Sequence, residues 1–110
     1  MKLIEAVKLI GKEYNITDEG PCYLVHSGLF DRGFEELVIY VVPVNGTAFL
    51  TDGADVANGI GDKLSENELH KIAKMFEFEL NDWHIEKIYN DNDDIYRFFE
   101  LFLYVQTHNE

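Results

Sequence analysis

The chain has 110 residues, the usual length of one domain, and its apolar fraction of 46% is too high for a disordered chain. Twenty-one acids oppose nine bases, and the formal net charge of −12 excludes direct binding to a phosphate backbone and favours a basic protein surface as partner. No apolar run approaches the roughly 20 residues of a membrane span, the N-terminus lacks the apolar region of a signal peptide, and a single cysteine excludes an internal disulfide. One cytoplasmic domain spanning 1–110, with no membrane contact, is therefore expected.

Apolar residues near the N-terminus recur at helical spacing. Val7, Ile10 and Tyr14 recur every three or four positions, which predicts an amphipathic helix over residues 2–14. The following segment, 15–21, is polar and ends in Gly-Pro, so it is expected to end the helix.

Three strands are predicted next. Residues 22–27 and 37–42 are β-branched and aromatic, and the second segment is apolar on both faces, as in a central strand covered on both sides. Asn45-Gly46 then suits a two-residue hairpin turn, because both residues tolerate positive φ angles, and a third strand follows it. Residues 22–52 therefore predict a three-stranded antiparallel meander.

Two helices are predicted in the middle of the chain. The segment Asp52-Gly53-Ala54-Asp55 is expected to open a short helix through Ala57 that ends at Gly59 and Gly61. Ser65 and Glu68 have the spacing of a capping box, in which the serine hydroxyl accepts from the amide three residues on and the glutamate reaches back. Leu69, Ile72 and the apolar residues after them supply a buried stripe, so a second helix follows this cap.

A hairpin and a helix are predicted in the last third. Apolar residues alternate over 77–89 around Asn81-Asp82, which predicts a hairpin with outward glutamates. Residues 93–107 begin with acids, as a helix dipole favours, and are apolar nearly all round. That helix either lies centrally between the sheet and the first helix, or packs one face against a second copy or a partner through Tyr96, Phe99 and Leu103. The resulting fold class is α+β.

No catalytic motif or cofactor motif is found in the sequence. Cys22 and His26 lie four residues apart, about 13 Å along a strand, which is too far for a nucleophile and its base. The four histidines lack metal-ligand spacing, and the acidic run from Asp91 has Tyr96 where a calcium loop needs glycine. No lysine occurs between Lys12 and Lys63, so the meander lacks the lysine of a common nuclease site. We expect no catalytic residues, no metal and no cofactor.

The acids are concentrated late in the chain. Residues 77–100 hold eight acids against two bases, which is half of the net excess. Outward carboxylates on a rigid hairpin can replace phosphates in meeting lysines and arginines. The residues predicted to bind a partner are Glu77, Glu79, Asp82, Glu86, Asp91, Asp93 and Asp94.

A short pattern resembles a known family. Leu29-Phe30-Asp31-Arg32, the strand after it, Asn45-Gly46 and Leu50-Thr51-Asp52-Gly53 are similar to the core of the domain of unknown function 1828 family. Over most of the chain the resemblance implies a small protein of phages, prophages and other mobile elements. It marks Asp31, Arg32 and Asp52 as a motif of unknown role. The chain departs from the family at Gly53-Ala54-Asp55, where a second acid often precedes the glycine.

Charge and resemblance together lead to three hypotheses. The first is a non-enzymatic inhibitor from a mobile element that occupies the basic nucleic-acid channel of a host defence complex, of the CRISPR or restriction type. The second is an enzyme-associated module that uses Asp31, Arg32 and Asp52. The third is a homodimeric, antitoxin-like regulator that pairs through the terminal helix. An alternative to a functional acidic surface is that the acids only keep the chain soluble.

Overall fold

The computed structural model describes residues 1–108 as an α+β fold of four helices and six strands, which confirms the predicted fold class. The elements in chain order are α1 (Leu3–Gly11), β1 (Asn15–Asp18), β2 (Tyr23–Phe30), β3 (Glu36–Val44), β4 (Thr47–Thr51), α2 (Asp55–Asn58), α3 (Glu66–Met75), β5 (Glu79–Asn81), β6 (His84–Ile88) and α4 (Asn92–His108).

All six strands belong to one antiparallel sheet, in the order β1-β2-β3-β4-β6-β5. The predicted meander is present as β2 to β4, and the predicted hairpin joins it because Thr51 pairs with Glu86. Strand β1 was not predicted. Its only apolar residue is Ile16, so it has no recognisable pattern of its own and forms by pairing with β2.

The sheet buries one face under the helices. Ile39, Val41 and Leu50 point to this covered face and have no solvent exposure. Against them pack α1 through Ile10 and α4 through Phe98, within a single buried cluster. Alternate residues of each strand lie on the other face, as the twofold repeat of a strand requires.

Helix α4 has one buried side, so the prediction of a helix apolar nearly all round is not confirmed. The buried residues are Asp94, Ile95, Phe98, Leu101, Phe102 and Val105, at helical spacing. The opposite side is open, with Tyr96 59% and Leu103 49% exposed. The helix also meets α1, since Asn92 Nδ2 donates to the Leu9 carbonyl at 2.9 Å and Phe99 packs edge-on against Tyr14.

Two local predictions can be checked at atomic detail. The capping box of α3 is confirmed, because the amide of Glu68 donates to Ser65 Oγ at 3.1 Å and Glu68 Oε1 accepts from the Ser65 amide at 3.4 Å. The turn of the second hairpin lies one residue later than predicted. Its central residues are Asp82 and Trp83, with φ angles of 47° and 67°.

Candidate functional site: an acidic sheet face

The face of the sheet opposite the helices keeps solvent contact at every position, and we call it the open sheet face. Its members are Asn15, Thr17, Leu24, His26, Glu36, Val38, Tyr40, Val42, Val44, Thr47, Phe49, Thr51, Glu79, Asn81, His84, Glu86 and Ile88, all half-buried or exposed. The sequence predicted β3 to be covered on both sides, which is wrong. Val38, Tyr40 and Val42 are instead half-buried members of a surface.

The middle of the open sheet face is apolar and its flanks are acidic. Leu24, Val42 and Phe49 lie on the central strands. Glu36 lies at one flank, at the N-terminal end of β3, and Glu79 and Glu86 lie at another, on β5 and β6. An apolar centre with a polar rim is the usual composition of a protein interface.

No lysine or arginine lies on the open sheet face, and residues 109–110 include neither type. Eight of the nine bases belong to the helices, to their flanking residues or to the loop after β2: Lys2, Lys8, Lys12, Arg32, Lys63, Lys71, Lys74 and Arg97. The ninth, Lys87, is on β6 but points to the covered face, because it pairs with Leu50. The open sheet face therefore carries acids and no lysine or arginine, although most acids of the chain lie elsewhere.

Glu79 and Glu86 face each other across the β5–β6 ladder. Like charges directly opposite on neighbouring strands repel and reduce stability. Glu86 is partly compensated, because Asn81 Nδ2 donates to its Oε1 at 2.6 Å. No cation among residues 1–108 lies within 4.0 Å of either carboxylate.

Tyr40 adds a fixed phenol to this surface. Its hydroxyl donates to Asp55 Oδ2 at 3.0 Å, which places that exposed carboxylate at the border of the open sheet face. Burial, followed by the hydrogen bond and charge of Asp55, raises the pKa of Tyr40 to about 12. The Tyr40 hydroxyl therefore remains a hydrogen-bond donor to Asp55 to a higher pH than an ordinary tyrosine would.

The structure does not collect the predicted partner-binding acids on one surface. Glu79 and Glu86 lie on the open sheet face, and exposed Asp82 is at the tip of the adjoining hairpin. Glu77 precedes β5 and forms a 2.6 Å ion pair with Arg97. Exposed Asp91 and Asp93 lie at the start of α4, where Asp91 Oδ1 accepts from the Asp93 amide at 3.0 Å.

Asp94 has a structural position, which the sequence did not anticipate. Its side chain is buried, and Lys87 Nζ lies 2.6 Å from Oδ1. Burial opposes ionisation of this carboxyl, but the bonds from Lys87 and from the amides of Asn90 and Asp91 outweigh it and lower the pKa. An ionised Asp94 thus joins β6 to α4, and its burial leaves no surface for a partner to contact.

A hydroxyl, an imidazole and a carboxylate are linked across three strands at one flank of the open sheet face. His26 Nε2 is 2.6 Å from Thr17 Oγ1, and His26 Nδ1 is 2.7 Å from Glu36 Oε1. This order of contacts is that of a catalytic triad. The three side chains join β1, β2 and β3, and we interpret them as a cross-strand tie. The sequence could not show it, because the contact depends on strand register.

Asp52, from the family-like motif, is buried and fully engaged by backbone. Its Oδ1 accepts from the amides of Ala54 at 2.9 Å and Ile85 at 2.8 Å, and its Oδ2 accepts from Val56 at 3.1 Å. Burial raises the pKa of this carboxyl, although the three amide bonds oppose the rise. Asp52 therefore joins β4, α2 and β6, and has the contacts of a structural residue.

Asp31 and Arg32 have different surroundings from those of Asp52. They line a cleft of about 370 Å³ together with Phe30, Gly33, Gly59, Ile60, Asp62, Lys63 and Gln106. Asp31 shapes its own loop, since its Oδ1 accepts from the amides of Gly33 at 2.8 Å and Glu35 at 3.0 Å. Asp52 does not line this cleft, so the three motif residues do not share one site.

A shallower hollow is formed by Phe76, Glu100, Leu103, Tyr104, Thr107 and His108.

Within residues 1–108, no group of three or more His, Cys, Asp or Glu side chains is arranged to hold a metal ion. Over the same residues, no helix is long and apolar enough to cross a membrane.

Comparison of the chain with protein-family models, with curated proteins and with solved structures finds no match. The resemblance to the domain of unknown function 1828 family accordingly stays a prediction from the sequence motif.

Proposed function

We propose that the protein is a non-enzymatic binding module whose open sheet face binds a basic surface of another protein. Three features support the proposal: the apolar centre, the acidic flanks and the location of all bases elsewhere. Apolar contact supplies affinity, and the carboxylates select a partner rich in lysine and arginine.

The opposed Glu79 and Glu86 carry the proposal. Their pairing costs stability in the free protein; Glu79 is exposed, and Glu86 is half-buried with Asn81 donating to its Oε1. A partner cation placed between them would convert repulsion into two charge-assisted contacts. Binding therefore supplies the two carboxylates with the cation that neither has in the free protein.

The partner class that fits best is a protein that binds a nucleic-acid backbone. Such proteins present lysines and arginines spaced to meet phosphates, and a rigid row of carboxylates can occupy the same groove. The protein would then act as an inhibitor that competes with the nucleic acid. A host defence complex, of the CRISPR or restriction type, is the specific target we propose on the basis of the charge and of the family resemblance.

Backbone NMR with an arginine-rich peptide as probe tests this function. We expect amide shifts at Val42, Phe49 and Glu86, and an affinity that falls steeply as salt increases. The control is a peptide of equal length that has glutamine at each arginine position and contains no lysine. It should cause no shifts. Shifts confined to α3 or α4, or an affinity that ignores salt, would contradict the proposal.

A homodimer through α4 is a second candidate, favoured by the exposed Tyr96 and Leu103 on one side of that helix. Phe99 contributes less, because it is half-buried against Tyr14. Light scattering on the wild type and on Leu103→Glu tests it. A dimer that Leu103→Glu dissociates supports this candidate, and a monomeric wild type eliminates it.

A further inference from the structure

The cleft beside Asp31 is separate from the open sheet face, and it differs from that face in charge. Two cationic side chains line it together with the acids Asp31 and Asp62: Arg32 from the loop after β2 and Lys63 from the segment before α3. Within residues 1–108, neither has a carboxylate within 4.0 Å. Both are exposed, so their charges are available to a ligand.

The apolar part of the cleft is an aromatic wall. Phe30 is 55% exposed and Ile60 is buried, and both line the same space. An exposed phenyl ring beside two cations is suited to a ligand that combines an anionic group with a flat apolar group.

The walls are held in place by contacts from three parts of the chain. The amide of Asp31 donates to the Glu35 carbonyl at 2.9 Å, which closes the loop that presents Arg32. Gln106 Nε2 of α4 donates to the Phe30 carbonyl at 3.0 Å. The Asp62 amide donates to the Gly59 carbonyl at 3.1 Å, next to Lys63. A pre-formed site avoids most of the ordering cost of binding.

Gly59 shows how closely the backbone approaches here. A Cβ at this position would lie 2.9 Å from the Asp55 carbonyl and 3.9 Å from Asp31 Oδ2. Glycine is therefore required by the turn after α2 itself, because the close contact is with the Asp55 carbonyl, and the distance to Asp31 is an ordinary contact. The cleft volume of about 370 Å³ is at the small end of the range for ligand pockets, about 300–1,000 Å³.

We propose that this cleft binds a small organic anion, a carboxylate or a phosphate ester attached to a planar apolar group. Arg32 and Lys63 contact the anionic group, and the planar group lies on Phe30. Of the two acids that line the cleft, Asp31 is already engaged through Oδ1 by the amides of Gly33 and Glu35. Carboxylates beyond about 8 Å are largely screened at physiological salt.

Amide NMR titrations with phenyl phosphate and with benzoate test the site, at constant ionic strength. We expect at least one of them to shift the amides of Gly33, Gly59 and Lys63, and the stronger of the two identifies the anionic group. Benzyl alcohol and inorganic phosphate, which each lack one half of the ligand, should bind at least about tenfold more weakly.

Charge-neutral variants provide the decisive comparison. Arg32→Gln and Lys63→Gln should each weaken binding by roughly tenfold, which is the effect of losing a charged hydrogen bond. Lys71→Gln on the exposed side of α3 changes the net charge equally and should leave the affinity unchanged. Absence of binding by both anions, equal binding of benzyl alcohol, or equal losses in all three variants would overturn the proposal.

Discussion

The carboxylate of Asp52 accepts a hydrogen bond from the amide of Ile85 at 2.8 Å, and the Asp52 amide donates to the Ile85 carbonyl at 3.0 Å. This reciprocal pair joins β4 to β6 just beyond their last register pair, Thr51 with Glu86. Asp52, a residue of the family-like motif, therefore has a structural role that requires no catalytic function.

Asp52→Ala should destabilise the protein by about 2–4 kcal/mol, because three buried amides lose their acceptor. Asp52→Asn should cost less, since its one carbonyl oxygen still accepts while its amide group faces the Val56 amide. Asp55→Asn removes the same charge at an exposed position and is the matched control. Urea unfolding followed by circular dichroism gives the comparison, and equal stability of Asp52→Ala and the control would refute the structural role.

The raised pKa of Asp52 also gives a pH dependence. The folded protein binds the proton of the Asp52 carboxyl more tightly than the unfolded chain does. The stability that this proton contributes is complete below the ordinary pKa of 3.8, and it is lost as pH rises through the pKa of the folded state. Asp52→Asn should therefore flatten this part of the stability profile. A profile identical to that of the wild type would contradict the assignment.

Lys87→Met should destabilise the protein by about 2 kcal/mol, because the buried Asp94 carboxylate loses its charged hydrogen bond and keeps only Arg97 at 3.9 Å. In the wild type the lowered pKa of Asp94 contributes stability above its ordinary value of 3.8, and this is lost as pH falls through the folded pKa. The variant should thus unfold at a higher pH on acidification. Lys74→Met, at an exposed position of α3, is the control and should match the wild type.

Glu36→Gln should remove an acid-sensitive contribution from the flank of the open sheet face. The hydrogen bond from His26 lowers the pKa of Glu36, despite the opposing effect of burial, with further help from the Gly28 amide. Stability from this carboxylate is present above its ordinary value of 4.5 and is lost as pH falls through the folded pKa. Thermal melts over that range should show a smaller pH slope in the variant. An unchanged slope would mean that the tie contributes nothing.

The hairpin tip should show a conflict between stability and binding. Asp82 and Trp83 both have positive φ angles, which asparagine and glycine adopt more easily. The double variant Asp82→Asn, Trp83→Gly should gain about 1 kcal/mol of stability. It should bind the arginine-rich peptide more weakly, since an acid and an exposed aromatic side chain beside the open sheet face are lost. Circular dichroism must follow unfolding, because Trp83 is the only tryptophan. A less stable variant would show that the Trp83 side chain packs better than its exposure suggests.

Local signals in the sequence predicted local structure well. Asn45-Gly46 marks the β3–β4 turn, and Ser65 with Glu68 marks the start of α3, because each pattern acts within four residues. Strand β1 and the Asp52–Ile85 pair could not be predicted in this way, since both depend on partners brought together by the fold.

The site was predicted only in part. Charge identified Glu79 and Glu86, whereas Asp94 is in the same acidic run and is buried beside Lys87. The apolar character of β3 on both faces was visible in the sequence. Which of the two faces the helices cover depends on the register of all six strands, and this register is not encoded in any one segment.

The most direct test of the central claim is the affinity of the arginine-rich peptide for two charge-reversed variants of equal net charge. In Glu79→Lys/Glu86→Lys both changes lie on the open sheet face, and in Glu77→Lys/Asp91→Lys both lie off it. We predict that the first variant loses binding by at least about 100-fold at low salt and that the second keeps most of it. Equal losses in the two variants would show that only net charge matters and would contradict a specific acidic sheet face.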